Sequence, residues 1–185
     1  MPTLCVWTPE DGLLGALAPL GLAVAAGTAL VIDLDPGGPR YPGPGSLADL
    51  VAEGPRRDHL TPSRSGVATL RNGGVPPVDA AEVVGALVAG WDRVVLRLPP
   101  RPAPGETGIP VVPVRLLVPG EWFTPFEGPA VYQATPAWVN TPGPGIRLPV
   151  PTRGTVAAPI EGRRPAFGDR WVAVWRRVWE MPWRR

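Results

Sequence analysis

Residues 29–36 read ALVIDLDP, and this stretch decides how the rest of the chain is interpreted. A short apolar run that ends in a turn, here Pro36-Gly37-Gly38-Pro39, is typical of a buried strand in a parallel sheet. Asp33 and Asp35 come at the carboxyl end of this strand, where the ligands of open α/β sheets bind. We therefore expect any functional site of the chain to include these two carboxylates.

The composition restricts the chemistry that such a site can have. The 185 residues predict one domain, residues 1–185, and the 28 Pro and 23 Gly predict long loops. All 18 basic residues are Arg, so the chain has no Lys for a Schiff base, a general base or a phosphate contact. Cys5 and His59 are single residues of their kinds, which excludes an internal disulfide and a Cys/His metal cluster. We expect Cys5 to be an inert buried thiol, His59 to be solvated, and the protein to need no metal or cofactor.

Apolar segments alternate along the chain in the way that predicts strands joined by helices. The first strand, helix and second strand form a βαβ unit whose crossover should be right-handed. Pro19 is expected to kink or end the first helix, and Pro110 and Pro113 indicate an edge or strand-start position. The predicted strands are 3–7, 29–34, 67–70, 93–98, 109–118 and 130–133, the predicted helices are 13–26, 46–51, 78–89, 152–161 and 167–180, and residues 141–145 are expected to be loop.

In this order the segments resemble the MinD/ParA family of P-loop ATPases, whose Walker motif is of the deviant type. Residues 31–36 resemble the family's D-x-D-P, and residues 46–50 its following helix. Residues 91–100, WDRVVLRLPP, resemble its Walker B segment, and residues 148–163 its late Pro-containing segment. The resemblance implies a reduced P-loop NTPase fold of the MinD type. This fold is three-layered, with helices on both faces of a mostly parallel sheet.

The segment that resembles the family's phosphate loop departs from its pattern. That loop reads K-G-G-x-G-K-[ST], in which glycine N–H groups and lysines bind the phosphates and the hydroxyl binds Mg²⁺. Here residues 9–17 read PEDGLLGAL, so Gly12 and Gly15 remain and both lysines are missing. Glu10 and Asp11 add negative charge where a triphosphate would lie, and like charges at 4 Å repel by about 1 kcal/mol even in water.

The Walker B carboxylate position is also changed, because Arg97 stands there. The resemblance implies that Asp33 helps to position Mg²⁺ or water, but Asp33 can instead pair with Arg97 from a neighbouring strand end. Arg40 lies in a Gly/Pro-rich loop, residues 36–45, which either replaces the missing lysines at an anion or merely caps the sheet edge. The cofactor-binding candidates of this degenerate site are Gly12, Gly15, Asp33, Asp35 and Arg40.

Residues 163–185 form a basic, Trp-rich segment with seven Arg and two acidic residues. Three Trp at intervals of four residues share one face of the predicted helix. Either this face packs on the sheet, or it binds a membrane surface or an acidic partner together with neighbouring Arg residues. Nucleic acid is not expected as a ligand, because the rest of the chain is acidic on balance. The candidate interaction residues are Trp171, Trp175, Trp179, Arg176 and Arg177.

These patterns predict a non-catalytic pseudo-ATPase that serves as a protein-interaction scaffold, such as a localisation or assembly factor of the Tad-pilus or septum-site type. A protein partner is expected, with a homodimer or heterodimer as options, and we expect a cytoplasmic location, with the inner membrane face as an alternative. Two other functions stay open. One is a nucleotide-binding enzyme or sensor with a rearranged phosphate site. The other is a peripheral membrane protein that uses the C-terminal helix.

Overall fold

A seven-stranded sheet organises the molecule, and its strands have the order β3-β2-β4-β1-β5-β6-β7. The computed structural model describes residues 3–8, 12–38, 41, 43–54, 60, 66–100, 109–114, 129–134 and 144–183, with 109–114 and 134 described by backbone alone. The strands are β1 (Thr3–Trp7), β2 (Ala29–Asp33), β3 (Val67–Leu70), β4 (Val94–Arg97), β5 (Ile109–Val114), β6 (Ala130–Ala134) and β7 (Gly145–Leu148). The helices are α1 (Leu13–Ala26), α2 (Leu47–Glu53), α3 (Ala81–Gly90), α4 (Arg153–Ile160), α5 (Arg170–Val174) and α6 (Arg176–Glu180).

The pairing of these strands is parallel throughout, which confirms the predicted α/β architecture. One face of the sheet packs in a core with α1, α5 and α6, and the other packs in a second core with α2 and α3. Strand β4 lies between β1 and β2, with Arg97 opposite Val6 on one side and Asp33 on the other. The carboxyl ends of these three strands are therefore level, and their last side chains meet at one edge.

Helix α1 is buried along most of its length and runs through Pro19 without interruption. The prediction that Pro19 might end its first half is wrong, because the lost hydrogen bond is replaced. A proline at position 19 has no N–H to donate to the carbonyl of Gly15, four residues earlier. The side chain of Arg97 donates to that carbonyl instead, with 3.1 Å from Nε to the oxygen. Gly27 caps the helix at its C-terminus.

Helix α2 begins where the sequence predicts, with Ser46 as its N-cap. The Ser46 hydroxyl accepts a hydrogen bond from the Asp49 N–H, and the Asp49 carboxylate accepts one from the Ser46 N–H. This reciprocal capping box satisfies two donors that a helix start leaves open. The N–H groups of Leu47 and Ala48 also bond to carbonyls at the end of β3, which fixes α2 beside the carboxyl edge of the sheet.

The Trp-rich segment lies against α1, and its first two Trp are fully buried. The rings of Trp171 and Trp175 are edge to face at 5.2 Å and flank Gly21 of α1. Trp171 Nε1 donates to Gln133 Oε1 of β6 at 2.6 Å, and half-buried Trp179 donates to a main-chain carbonyl of α1. Of the two alternatives for this face, packing in the core is therefore observed. The prediction that Trp171 and Trp175 form an interaction surface is wrong, because α1 and β6 already cover them.

Three further predictions about the C-terminal half need correction. The helix expected at 167–180 is two short helices, because Asp169 caps the start of α5 and the chain turns at Trp175. Strand β7 begins in the segment expected to be loop, since four residues between Pro144 and Pro149 give too short a pattern to detect. Strand β5 is internal, so the edge alternative is wrong, whereas Pro110 lies at the start of the strand, as the other alternative predicts. Strand β1 pairs with only the first two residues of β5, so Pro113 lies beyond that pairing.

A methyl group added at Gly21 should destabilise the protein, although Gly→Ala normally stabilises a helix by about 0.5–1 kcal/mol. A Cβ at this position would overlap the Trp171 ring, and overpacking in a core costs about 1–3 kcal/mol. Gly85 of α3 has no heavy atom within 4 Å of an added Cβ, so G85A is the matched control. Urea unfolding should show lower stability for G21A and unchanged or higher stability for G85A. A stabilised G21A would contradict this packing.

Candidate functional site

The site predicted at the carboxyl edge is built around a buried guanidinium. Arg97 Nη1 lies 2.8 Å from Asp33 Oδ1 and 3.0 Å from Asp35 Oδ2, so one nitrogen serves two carboxylates. The side chains of Arg97 and Asp33 are 3% and 0% exposed. The pairing of Asp33 with Arg97, one of the two alternatives left by the sequence, is confirmed.

Backbone groups hold the two aspartates on either side of this guanidinium. The Asp35 N–H donates to Asp33 Oδ1 at 3.1 Å, and the Gly37 N–H donates to Asp35 Oδ1 at 3.0 Å. Asn72, directly after β3, donates its side-chain amide to the main-chain carbonyl of Asp33 at 3.2 Å. Gly38 packs so closely on the Asp33–Arg97 pair that a Cβ there would overlap both side chains. The turn after β2 is therefore folded onto the pair and excludes water from it.

Tyr41, which follows this turn, forms a hydrogen bond to α1, as Arg97 does. Its hydroxyl donates to the Ala16 carbonyl at 3.0 Å, one residue after the carbonyl that Arg97 binds. Burial raises the pKa of Tyr41 above its ordinary value, so the phenol stays neutral and keeps this hydrogen bond. The sequence placed Tyr41 in a loop and did not identify this role, since a single aromatic residue in a Gly/Pro-rich segment has no periodic signal.

The charges of the site do not balance, because two carboxylates share one guanidinium. Burial raises the pKa of Asp33 to about 6, against the opposing effect of Arg97, and its Oδ2 has no hydrogen-bond partner among the described residues. Burial acts to lower the pKa of Arg97, but the attraction of the Asp33 and Asp35 carboxylates outweighs it and the pKa is raised. Arg97 is therefore always charged, and Asp33 is the group that can take up a proton.

The donor set does not fit the Mg²⁺ that the fold family would imply at this edge. Both carboxylates already contact the Arg97 guanidinium, and Arg97 would repel a metal ion that bound to the same two carboxylates. Over the described part of the chain, no group of three or more His, Cys, Asp or Glu is arranged to hold a metal. The guanidinium therefore occupies the space between the carboxylates in which a metal ion would be held.

The other predicted site residues are only partly brought together here. Gly12 precedes α1, and Gly15 lies in its first turn, where its carbonyl binds Arg97. Arg40 lies outside the described residues, as do residues 9–11 and His59. Cys5 lies in β1 and is half-buried rather than buried as expected. Of the helices described, none has the length and apolar character needed to cross a membrane.

Solved structures with the same fold are ATPases of the ParA and MinD type. A ParA family ATPase from Chlorobium tepidum matches with a TM-score of 0.65 and 12% identity, over 94% of this chain and 98% of that one. MinD from Aquifex aeolicus matches with a TM-score of 0.61 and 13% identity, over 100% of both chains. The same protein in its MinC:MinD complex gives a TM-score of 0.63 at 12% identity, over 100% of this chain and 99% of that one. No family sequence model and no curated protein matches the chain. The chain thus has the MinD/ParA-type P-loop NTPase fold.

Replacing Arg97 by Met should destabilise the protein by about 3–5 kcal/mol, because Asp33 and Asp35 would be left buried without a cation. Changing Asp33 and Asp35 to Asn in the R97M variant should recover much of that loss, since neutral amides need no counter-charge. Arg93 is exposed, and R93M, the control, should lose about 1 kcal/mol or less. Urea unfolding checks all three. An R97M chain as stable as R93M would show that the pair contributes nothing.

The pKa of Asp33 predicts a pH dependence with a definite sign. The folded chain holds this proton up to about pH 6, and the unfolded chain only to about pH 4. The stability contributed by Asp33 is therefore complete below pH 4 and is lost as the pH rises through 6. The unfolding free energy of the native chain, measured relative to D33N, should fall between pH 4 and 7 by at most about 3 kcal/mol. A difference that is flat or rises with pH would contradict this assignment.

Proposed function

We propose that this protein is a non-catalytic scaffold with the MinD/ParA fold, which binds a protein partner without a nucleotide cycle. The observation that carries the proposal is the position of the Arg97 guanidinium between Asp33 and Asp35. In a nucleotide-hydrolysing site these carboxylates would have to be free for a metal or a water molecule. Here the Arg97 guanidinium lies between them, and the turn after β2 is closed over the Asp33–Arg97 pair.

The sequence of the phosphate-loop segment supports the same proposal. Residues 9–17 carry no lysine and no hydroxyl, and the chain has no lysine elsewhere to supply the missing charge. Phosphoryl transfer depends almost entirely on positioned cations and metal ions, so their loss removes the main catalytic contribution. We infer that the fold is retained for its surface rather than for its chemistry.

The kind of partner is inferred from the fold and from the C-terminal segment. The Aquifex aeolicus MinD occurs in a complex with MinC, which supports a protein partner for a chain of this fold. The exposed residues of α6 include Arg176 and Arg177, so an acidic protein surface fits this side of the molecule. Membrane binding through the Trp face is disfavoured, because Trp171 and Trp175 would have to leave the core. We place the protein in the cytoplasm as a localisation or assembly factor.

Nucleotide titration tests this proposal directly. Isothermal calorimetry with ATP or ADP, with and without Mg²⁺, should show no binding tighter than about 1 mM to the native full-length chain, and no hydrolysis should be detected. A tagged full-length chain should capture the same partner from its native cell before and after nucleotide is removed enzymatically. Micromolar binding of a nucleotide, or capture that requires one, would overturn the proposal.

A further inference from the structure

An open cleft of about 810 Å³ lies between the end of β7 and helix α5. Clefts that bind ligands in proteins have volumes of about 300–1,000 Å³. The apolar part of its lining includes Pro149 and Val150, which follow β7, and Val174 of α5. Val150 is 52% exposed, so apolar surface is accessible in this cleft without any rearrangement of the core.

Hydrogen bonds join the two walls of the cleft. The Gln133 side chain of β6 donates to the Pro149 carbonyl at 3.0 Å and accepts from the Trp171 indole of α5 at 2.6 Å. The Thr152 hydroxyl, which caps α4, donates to the carboxylate of Asp169, the residue that caps α5, at 3.0 Å. Because both walls are fixed in this way, a ligand binds without the cost of ordering them.

The charged side chains that line the cleft give it a net positive charge, since they are Arg147, Arg170 and Asp169. Arg170 is exposed and forms no ion pair with a carboxylate of the described residues. Both oxygens of Asp169 accept hydrogen bonds from within the fold, Oδ1 from the Trp171 N–H and Oδ2 from two threonine hydroxyls at the start of α4. The cleft therefore presents a cation to a ligand beside its apolar surface.

The surface around the cleft has the same sign of charge. Residues 144–183 contain seven Arg and three acidic residues, so this part of the chain attracts an acidic ligand and repels a basic one. The ring of Phe167, the residue before Gly168 of the cleft lining, lies 4.9 Å from the guanidinium of Arg176. The rim of the cleft thus continues to the arginines of α6, to which the proposed function assigns an acidic partner.

We propose that the cleft between β7 and α5 binds a short segment of the partner protein that combines acidic and apolar residues. A carboxylate of this segment pairs with Arg170, and an apolar side chain packs on Val150. An exposed ion pair alone binds weakly, so the two contacts act together, which favours a peptide over a free anion. This inference rests on the proposed scaffold function, because it names the surface and the chemistry by which the partner is bound.

Fluorescence anisotropy tests the cleft with a labelled octapeptide of alternating Glu and Leu, and an octapeptide of alternating Ser and Leu is the uncharged control. The native full-length chain should bind the acidic peptide with a Kd of about 100 μM or tighter, and at least about fivefold more tightly than the control peptide. R170Q should weaken binding about fivefold, because the pairing cation is removed. V150D should weaken it about tenfold, because the new carboxylate repels the ligand.

Two matched variants lie outside the cleft lining. Val78 is 79% exposed and Arg163 is 63% exposed, so V78D and R163Q make the same chemical changes on other surfaces and should bind within about twofold of the native chain. Val150 and Arg170 are exposed as well, so all four variants are expected to keep the fold, and urea unfolding checks this. Equal binding of the two peptides, or equal binding by V150D and V78D, would overturn the proposal.

Other occupants of the cleft give different results. If free glutamate or inorganic phosphate displaces the peptide at equal ionic strength, the ligand is a small anion and the proposal is wrong. A native dimer in sedimentation that V150D dissociates would place a second copy of the chain in the cleft and would also overturn it. The peptide assay contains no nucleotide, so its failure counts against the cleft alone, whereas micromolar nucleotide binding in calorimetry counts against the scaffold function.

Discussion

The buried guanidinium of Arg97 holds together the three parts of the chain that meet at the carboxyl edge of the sheet. It binds Asp33 at the end of β2, Asp35 in the turn that follows, and the Gly15 carbonyl in the first turn of α1. The Gly15 carbonyl has no helical donor, because Pro19 has no N–H. Arg97 supplies the hydrogen bond that Pro19 cannot make. Without Arg97, the helix would have an unpaired carbonyl and the sheet edge two unpaired charges.

This arrangement explains why the fold can persist without the ligand that its resemblance implies. In a site that binds a metal and phosphates, the protein leaves charges incomplete, and the ligand neutralises them and stabilises the fold. Here the cation is the Arg97 side chain, so the two carboxylates have a positive charge beside them whether or not a ligand is bound. One negative charge is left over, and Asp33 is the group that can take up a proton, because its pKa is raised and its Oδ2 has no hydrogen-bond partner among the described residues.

The sequence predicted this edge well because its signals are local. The apolar run of β2, the Ser46 cap and the order of strands and helices up to β4 follow from short-range patterns, and Asp33 and Arg97 occupy matching ends of parallel strands. Burial of Trp171 could not be predicted, because an amphipathic stripe looks the same whether it meets α1 or a membrane. The role of Tyr41 was missed for a similar reason, since its partner lies 25 residues away.

The buried Trp pair limits what the surface of the molecule can offer. Because α1 takes up the apolar face of α5 and α6, the exposed residues of these two helices are mainly charged, and recognition by them relies on electrostatics rather than on apolar area. Such contacts are strong only where the charge is already partly desolvated, since an exposed ion pair contributes about 0–1 kcal/mol. Arg176 and Arg177 are exposed, whereas Arg164 is half-buried and forms no ion pair with a carboxylate of the described residues.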